Sequence, residues 1–267
     1  MIAPGLILTA AHCVPSYWTP TSASRTIRLG ANKVDRPGGY PHRVTASCCP
    51  FGHMTVRATG AVSHPDWAGS SGQGRFVNDI ALIFVEPEGG GDAADIPAEY
   101  SVCPSRAALS VGDDPVAMGL GATENDSSGR PSWLQHSQHE IYDPSVCAHY
   151  RSMELYEGQY AEHFYCTAGG FERPMGFVEE DPDTYTFVCN GDSGSGLMKR
   201  EGDAWEVAGV VSWGTGWPDD RSTRNCGVYP ASHVNLNHPG SVSFIKPYLL
   251  EYRAAAGMAQ CAGDWSS

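Results

Sequence analysis

The chain has 267 residues, of which 41% are hydrophobic and 18% charged, and its formal net charge is −13. This length allows a buried core in one large domain or two small ones. With 17 Lys and Arg residues against 30 Asp and Glu, the composition argues against a nucleic-acid partner and favours a solvated acidic surface. No run approaches the roughly 20 apolar residues of a transmembrane helix, so we expect no membrane association.

The predicted elements are mostly short strands, because 31 glycines and 19 prolines interrupt the chain often. In chain order the predicted strands cover residues 7–8, 26–30, 56–62, 80–85, 115–120, 134–141, 196–199 and 207–213. The continuous apolar run at 80–85 is short enough for a buried strand. Residues 86–98, with three consecutive glycines and two prolines, are typical of a linker.

One amphipathic helix is predicted near the end of the chain. Its apolar face would comprise Ile245, Tyr248, Leu249 and Tyr252. Ser243 is predicted to cap it, which places Pro247 in the first turn, where proline is tolerated.

Nine cysteines indicate an oxidising, extracellular compartment, and the odd number leaves at least one without a partner inside the chain. Asn125 begins an Asn-Asp-Ser glycosylation sequon, which agrees with secretion. The apolar residues 1–8 lack the basic flank and the cleavage site of a signal peptide. We therefore expect a strand there, and no signal peptide within this sequence.

Three short motifs contain the residue types of an activated nucleophile. They are TAAHC, with His12; NDIALI, with Asp79; and GDSG, with Ser193. A serine is a poor nucleophile unless a base lies within hydrogen-bond reach, and that base needs a third group to fix its tautomer. Histidine, aspartate and serine meet these needs.

Together with Ser212-Trp213-Gly214 and Gly227-Val228-Tyr229, these motifs resemble the chymotrypsin/trypsin-like serine proteases from Leu6 to about Tyr252. The chain order His, Asp, Ser is that family's order. The resemblance implies an all-β fold of two antiparallel six-stranded Greek-key β-barrels with a C-terminal α-helix. Residues 1–98 would form the barrel with His and Asp, and residues 99–267 the barrel with Ser and the specificity pocket.

The resemblance also implies a role for each motif residue. His12 would be the general base, Asp79 would orient it, and Ser193 would attack the substrate. The backbone N–H groups of Gly191 and Ser193 would form the oxyanion hole, with Asp192 and Ser212 in support. No metal or other cofactor is expected; the spacing of His136 and His139 is open to metal binding, but that segment matches a family strand.

The resemblance also assigns residues to the specificity pocket. Phe187 falls at the pocket base, and Trp213, Gly214 and Gly227 fall on its walls. An apolar base argues against Lys or Arg at the cleaved position, because nothing would neutralise the buried charge. The acidic residues at 172–183 leave open a shifted alignment that supplies a carboxylate.

The resemblance implies two disulfides, Cys147–Cys166 and Cys189–Cys226. Cys103 could reach Cys261 or an external propeptide. The pairing of Cys13, Cys48 and Cys49 stays open.

Two features depart from the family pattern. Ser195-Gly196 replaces the usual Gly-Pro after the nucleophile, and the cleaved apolar N-terminus that pairs with Asp192 is absent. The sequence is therefore expected to be truncated, with an incomplete first barrel and a need for upstream residues in activation. In the chain as given, we expect Asp192 to be solvated and the 191–193 turn to be disordered.

The sequence favours a secreted, monomeric serine endopeptidase that cleaves protein or peptide substrates through an acyl-enzyme. Protein inhibitors are possible further partners. The alternative is a catalytically silent homologue that acts as a binding or regulatory module. The physiological substrate and the activating protease are open.

Overall fold

Eleven strands and two α-helices make up the described part of the chain, which comprises residues 1–14, 26–31, 53–67, 69, 76–122, 133–149, 162–169, 188–214 and 230–266 of a computed structural model. The strands are β1 (Leu6–Thr9), β2 (Thr26–Leu29), β3 (Met54–Ser63), β4 (Ala81–Pro87), β5 (Cys103–Pro104), β6 (Val116–Gly119), β7 (Gln135–Tyr142), β8 (Phe164–Gly169), β9 (Gly196–Glu201), β10 (Ala204–Gly214) and β11 (Ala231–Asn235). The helices are α1 (Pro144–His149) and α2 (Pro239–Ala255).

The first sheet is antiparallel, with the strand order β1-β4-β3-β2. The apolar strand β4 lies in its middle and pairs with β1 on one side and β3 on the other. Val56, Val85 and Ile96 form a core on this sheet. This arrangement places β1 and the start of β4 side by side, which brings the segments before and after them together.

The second sheet closes into a barrel of six strands, β6 to β11. Closure comes from the β10–β11 pairing, while β5 adds a short parallel pair at β10. Leu197, Ala208 and Val211 form part of an apolar cluster shared by its strands. The all-β fold with a β-barrel and a C-terminal helix, predicted from the sequence, is confirmed.

Three strands, β5, β8 and β11, are absent from the sequence prediction. The last two carry fully buried polar side chains, among them Thr167 and His233. These polar side chains interrupt the apolar runs on which the prediction rests. Inside the barrel, Thr167 Oγ1 and His233 Nε2 lie 2.6 Å apart.

The predicted start of the C-terminal helix is wrong. The cap is His238, not Ser243, and Pro247 lies inside the helix. Ser243 donates its Oγ hydrogen bond to Gly240 O (2.9 Å), as a serine within a helix does. Pro239 follows the cap, where its fixed φ suits a helix start.

Helix α2 packs on the first sheet as well as on the second. Phe84 of β4 contacts Tyr248 and Tyr252, with ring centroids 5.7 and 5.9 Å apart. The Arg253 guanidinium donates to the Ile2 carbonyl (3.2 Å). Within the described residues, no helix is long and apolar enough to cross a membrane.

Candidate active site

His12 and Asp79 meet at the junction between β1 and β4. The carboxylate accepts two hydrogen bonds from His12, one from Nδ1 (2.7 Å) and one from the backbone N–H (2.8 Å). Ser212 Oγ of β10 donates a third (2.6 Å). The Asp79 side chain is 0% exposed and that of His12 is 24% exposed. The carboxylate is therefore fixed in place, while the outer edge of the imidazole faces solvent.

The turn before β4 aims Asp79 at His12. Phe76 and Asn78 both adopt left-handed backbone angles, with φ of 65° and 57°. Asparagine tolerates this region, whereas a phenylalanine there is strained. The Asp79 N–H donates to Phe76 O (3.2 Å), which closes the turn.

The environment of His12 raises its pKa above the ordinary value of 6.5. Burial alone would lower the pKa, because it disfavours the charged ring. The hydrogen bonds and charges of Asp79 and of the neighbouring Cys13 act in the opposite direction and prevail. This arrangement suits a base that must accept a proton, since Asp79 stabilises the imidazolium.

Ser193 lies on a tight turn against the His12 segment. Gly191, with φ of 101°, begins the turn, and Asp192 N–H and Ser195 N–H donate to Cys189 O and Asp192 O (both 3.0 Å). Cys13 Sγ lies 3.5 Å from Ser193 O. Among the contacts of the described residues, no hydrogen bond joins the Ser193 hydroxyl to the His12 ring. Catalytic hydrogen bonds are often long in unliganded enzymes and shorten when substrate binds.

The backbone N–H groups of Gly191 and Ser193 have no acceptor among the described residues. Two such donors on one turn can stabilise a developing oxyanion. The turn therefore offers the donor pair that the motif predicts.

The expectation that Asp192 would be solvated and its turn disordered is wrong. Asp192 is only 9% exposed, and its carboxylate accepts from Gly121 N–H (2.8 Å) and Cys189 N–H (2.9 Å). A Cβ atom at Gly119 or Gly121 would collide with this carboxylate. Backbone N–H groups thus order the charge, and glycines make room for it.

An aromatic cluster beside the site escaped the sequence analysis. Phe76 lies 5.8 Å from the His12 ring and 5.8 Å from the Trp213 ring, between centroids, and Trp67 lies 6.1 Å away on another side. Phe76 lies two residues before the first residue of NDIALI, but nothing in the sequence indicates its left-handed backbone. The cluster forms an apolar wall next to the imidazole.

Some predicted residues cannot be placed. Four of them lie outside the described residues: Asn125, Phe187, Cys226 and Gly227. Trp213 is buried, and Gly214 is exposed at the end of β10.

The cysteines form two disulfides within the described residues, Cys147–Cys166 and Cys103–Cys261. The first is the pair that the family resemblance implied, and the second decides between the two alternatives left open for Cys103. Cys189 is disulfide-bonded, and Cys13 is free and exposed. Cys48 and Cys49 lie outside the described residues.

The alternative of a metal site at His136 and His139 finds no support. His136 is exposed on β7, whereas His139 is buried and its Nε2 lies 2.6 Å from Ser137 Oγ. In the described part of the chain, no group of three or more His, Cys, Asp or Glu side chains is arranged to hold a metal ion.

Comparisons with known proteins agree with this geometry. The family model described as Trypsin matches residues 1–236. CLIP domain-containing serine protease B14 of Anopheles gambiae is 27% identical over 262 residues, covering 89% of this chain and 60% of that protein. Transmembrane protease serine 5 of Homo sapiens is 23% identical, with 93% and 44% covered, and phenoloxidase-activating enzyme 1 of Spodoptera litura is 28% identical, with 79% and 51% covered.

The chain spans about half the length of these curated relatives. Two of these three relatives are named as serine proteases, and the family match covers most of the present sequence. The chain belongs to the trypsin family of serine proteases.

Proposed function

We propose that this protein is a serine endopeptidase in which His12, Asp79 and Ser193 form the catalytic triad. The observation that carries the proposal is the 2.7 Å contact between His12 Nδ1 and a buried Asp79, which Ser212 also binds. That contact leaves Nε2 of His12 as the group that can take up a proton from Ser193.

In the proposed reaction, Ser193 Oγ attacks the scissile carbonyl carbon while its proton moves to His12 Nε2. The carbonyl oxygen becomes negative and accepts hydrogen bonds from the N–H groups of Gly191 and Ser193. His12 then protonates the leaving amine, and the peptide C–N bond breaks to give the acyl-enzyme. A water molecule, deprotonated by His12, hydrolyses the ester and restores Ser193.

A fluorophosphonate probe tests this assignment directly. The wild-type protein should be labelled at Ser193 alone, and Ser193→Ala should lose turnover by about 10⁶-fold. Ser110→Ala, an exposed serine away from the triad, is the matched control and should behave as wild type. Labelling at another serine, or peptide hydrolysis that survives Ser193→Ala, would contradict the assignment of Ser193 as the nucleophile. A processed wild-type protein that is neither labelled nor active would favour the silent homologue.

We further propose that the substrates are proteins or peptides cleaved after a residue other than Lys or Arg. The basis is the sequence resemblance to the family, which would put Phe187 at the pocket base, where an apolar side chain offers no counter-charge. Peptide libraries should show apolar residues at the cleaved position. A dominant preference for Arg would place a carboxylate of the 172–183 segment in the pocket.

We also propose that the protein is secreted, that it is a monomer, and that a longer form of it is activated by cleavage. Support for secretion comes from the disulfides, which form in oxidising compartments. Support for activation comes from the family resemblance, in which the aspartate at the position of Asp192 pairs with a cleaved N-terminus. A longer form should gain activity after processing. Full activity of the 1–267 chain would contradict the need for activation and would mean that the bonds from Gly121 and Cys189 to Asp192 suffice.

A further inference from the structure

Three histidines from three elements meet at the N-terminus of α2. His64 follows β3, His163 precedes β8, and His238 is the N-cap of the helix. The rings of His163 and His238 lie 4.0 Å apart between centroids, at an angle of 39°. None of these residues belongs to the proposed triad, and we call them the histidine cluster.

His238 caps the helix through a ring nitrogen. Its Nδ1 accepts a hydrogen bond from Gly240 N–H (3.1 Å), so Nδ1 carries no proton in this conformation. Protonation of the ring would turn this acceptor into a donor that faces the Gly240 N–H. It would also place a positive charge at the positive end of the helix dipole. The cap therefore requires a neutral ring.

His64 bonds to the carbonyl of Gly240, the residue whose N–H bonds to His238. Its Nδ1 accepts from Asp66 N–H (3.1 Å), so the ring proton sits on Nε2, which donates to Gly240 O (3.3 Å). The backbone N–H of His64 donates to the backbone carbonyl of Ile80 (2.9 Å), the residue after Asp79. A short chain of contacts thus runs from the first turn of α2 to the segment that carries Asp79.

The surroundings of the cluster oppose a positive charge on either stacked ring. Burial lowers the pKa of His238, and the charge of His64 lowers it further, while Glu162 acts in the opposite direction. Burial also lowers the pKa of His163, and the charges of His238 and His64 add to this, with Glu162 again opposing. The first turn of α2 contains no acidic residue to compensate.

We propose that the histidine cluster is an acid-sensitive clasp between α2 and the first sheet. Proton uptake by His238 breaks its bond to Gly240 N–H and releases the first turn of α2. The His64 contact that ties this turn to the Asp79 segment is lost with it. Because the open form binds the proton more tightly than the closed form, a falling pH shifts the population toward the open form.

Hydrogen–deuterium exchange of residues 239–246 at pH 7.5 and pH 5.5, corrected for intrinsic exchange rates, tests the clasp without relying on peptidase activity. The wild-type protein should lose protection there at the lower pH, by up to about tenfold, because pH 5.5 lies one unit below the ordinary histidine pKa. His238→Asn keeps a good N-cap acceptor that does not titrate in this range, and should keep its protection at both pH values. His136→Asn, on the exposed face of β7, is the matched control and should behave as wild type.

Equal protection of the wild-type segment at both pH values would overturn the proposal, as would the same loss in His238→Asn. A loss that appears equally in β10 would also overturn it, because that pattern marks global unfolding and not release of one turn. If His238→Asn fails to fold, His238→Ser supplies another favoured cap residue for the same comparison.

Discussion

At the scale of single residues, the site depends on the hydrogen bonds that the Asp79 carboxylate accepts. Three donors converge on one buried carboxylate, and two of them come from His12 itself. These hydrogen bonds hold the carboxylate in one orientation against the imidazole. Asp79 in turn raises the pKa of the partly exposed His12 ring beside it.

This arrangement predicts the pH dependence of catalysis. His12 must be neutral to act as a base, so kcat/KM should rise with pH and its inflection should lie above 6.5, because Asp79 raises the pKa of His12. Asp79→Asn should move the inflection downward and reduce turnover by about 10⁴-fold. A pH series of kcat/KM with a chromogenic peptide checks both points. An inflection at or below 6.5 in the wild type would contradict the role given to Asp79.

A second prediction concerns the space around Asp192. Gly121→Ala should place a methyl group against the Asp192 carboxylate, at a cost of about 1–3 kcal/mol in the free energy of unfolding. The displaced turn should weaken the oxyanion donors and lower kcat by about 10²-fold. Gly89→Ala is the matched control, because nothing lies within 4 Å of its added Cβ. Urea unfolding and kcat distinguish the two variants, and equal behaviour of both would refute the argument.

The residues of the site differ in how far the sequence reveals them. His12, Asp79 and Ser193 lie in contiguous motifs, so a short string suffices to find each of them. Gly121 and Phe76 act through contacts set by the turns around them, and Gly121 meets Asp192 across 71 positions of sequence. A glycine or a phenylalanine carries no signal of such a contact, because its role appears only when segments distant in the sequence pack together.

At the scale of elements, the C-terminal region is tied to the rest of the molecule at several points. The disulfide Cys103–Cys261 joins residues 158 positions apart. Trp265 Nε1 donates to Ser105 O (2.8 Å) close by. These ties position α2, whose other contacts reach Ile2 and Phe84 on the first sheet. The helix therefore connects both sheets.

We predict that the two observed disulfides contribute unequally. Loss of Cys103–Cys261 should reduce the free energy of unfolding by about 5 kcal/mol, and loss of Cys147–Cys166, which spans 19 positions, by about 3 kcal/mol, because the longer loop constrains the unfolded chain more. Paired Cys→Ser variants compared by urea unfolding give the difference. A larger loss for the Cys147–Cys166 pair would show that native-state packing, and not loop entropy, dominates.

The elements also show why part of the fold stays hidden in the sequence. Strand β4 is predicted because its apolar run is continuous and both of its neighbours bury it. Strands β8 and β11 contain Thr167 and His233, which are buried yet polar and 2.6 Å apart between Oγ1 and Nε2. The helix start is mispredicted because a histidine side chain takes the capping role that serine usually has.

At the scale of the whole molecule, acid has two opposite effects on the stability of the fold. It weakens the self-repulsion of the acidic chain, and it destabilises the fold through the buried histidines. Near its pI of about 5.1 the acidic chain loses its self-repulsion, which should stabilise the folded state. His139 and His233 lie inside the second barrel, 2% and 0% exposed, and the Nδ1 atoms of both lack a hydrogen-bond partner in the described part of the chain. Burial lowers the pKa of His139 to about 4 and that of His233 well below 6.5.

The sign of the effect follows from proton binding in the two states. Above pH 6.5 these two histidines are neutral in the folded and unfolded chains, so they add no pH dependence. Below pH 6.5 the unfolded chain takes up protons that the folded barrel excludes, and stability falls by about 1.4 kcal/mol per pH unit for each histidine. His12 does not offset this fall, because its raised pKa makes its contribution constant below 6.5 and lost only as the pH rises above that value.

We therefore predict that the free energy of unfolding falls as the pH drops from 6.5 toward 5, with a slope that approaches roughly 2.7 kcal/mol per unit, and that His163 and His238 add in the same direction. His139→Gln should reduce this slope by about 1.4 kcal/mol per unit, even if it lowers stability at pH 7.5. His136→Gln, on the solvent face of the same strand, should leave the slope unchanged. Urea titrations at pH 7.5, 6.5, 5.8 and 5.2 measure the slopes. A stability that stays level or increases toward pH 5 would mean that the barrel admits protons, or that lost self-repulsion outweighs the buried imidazoles.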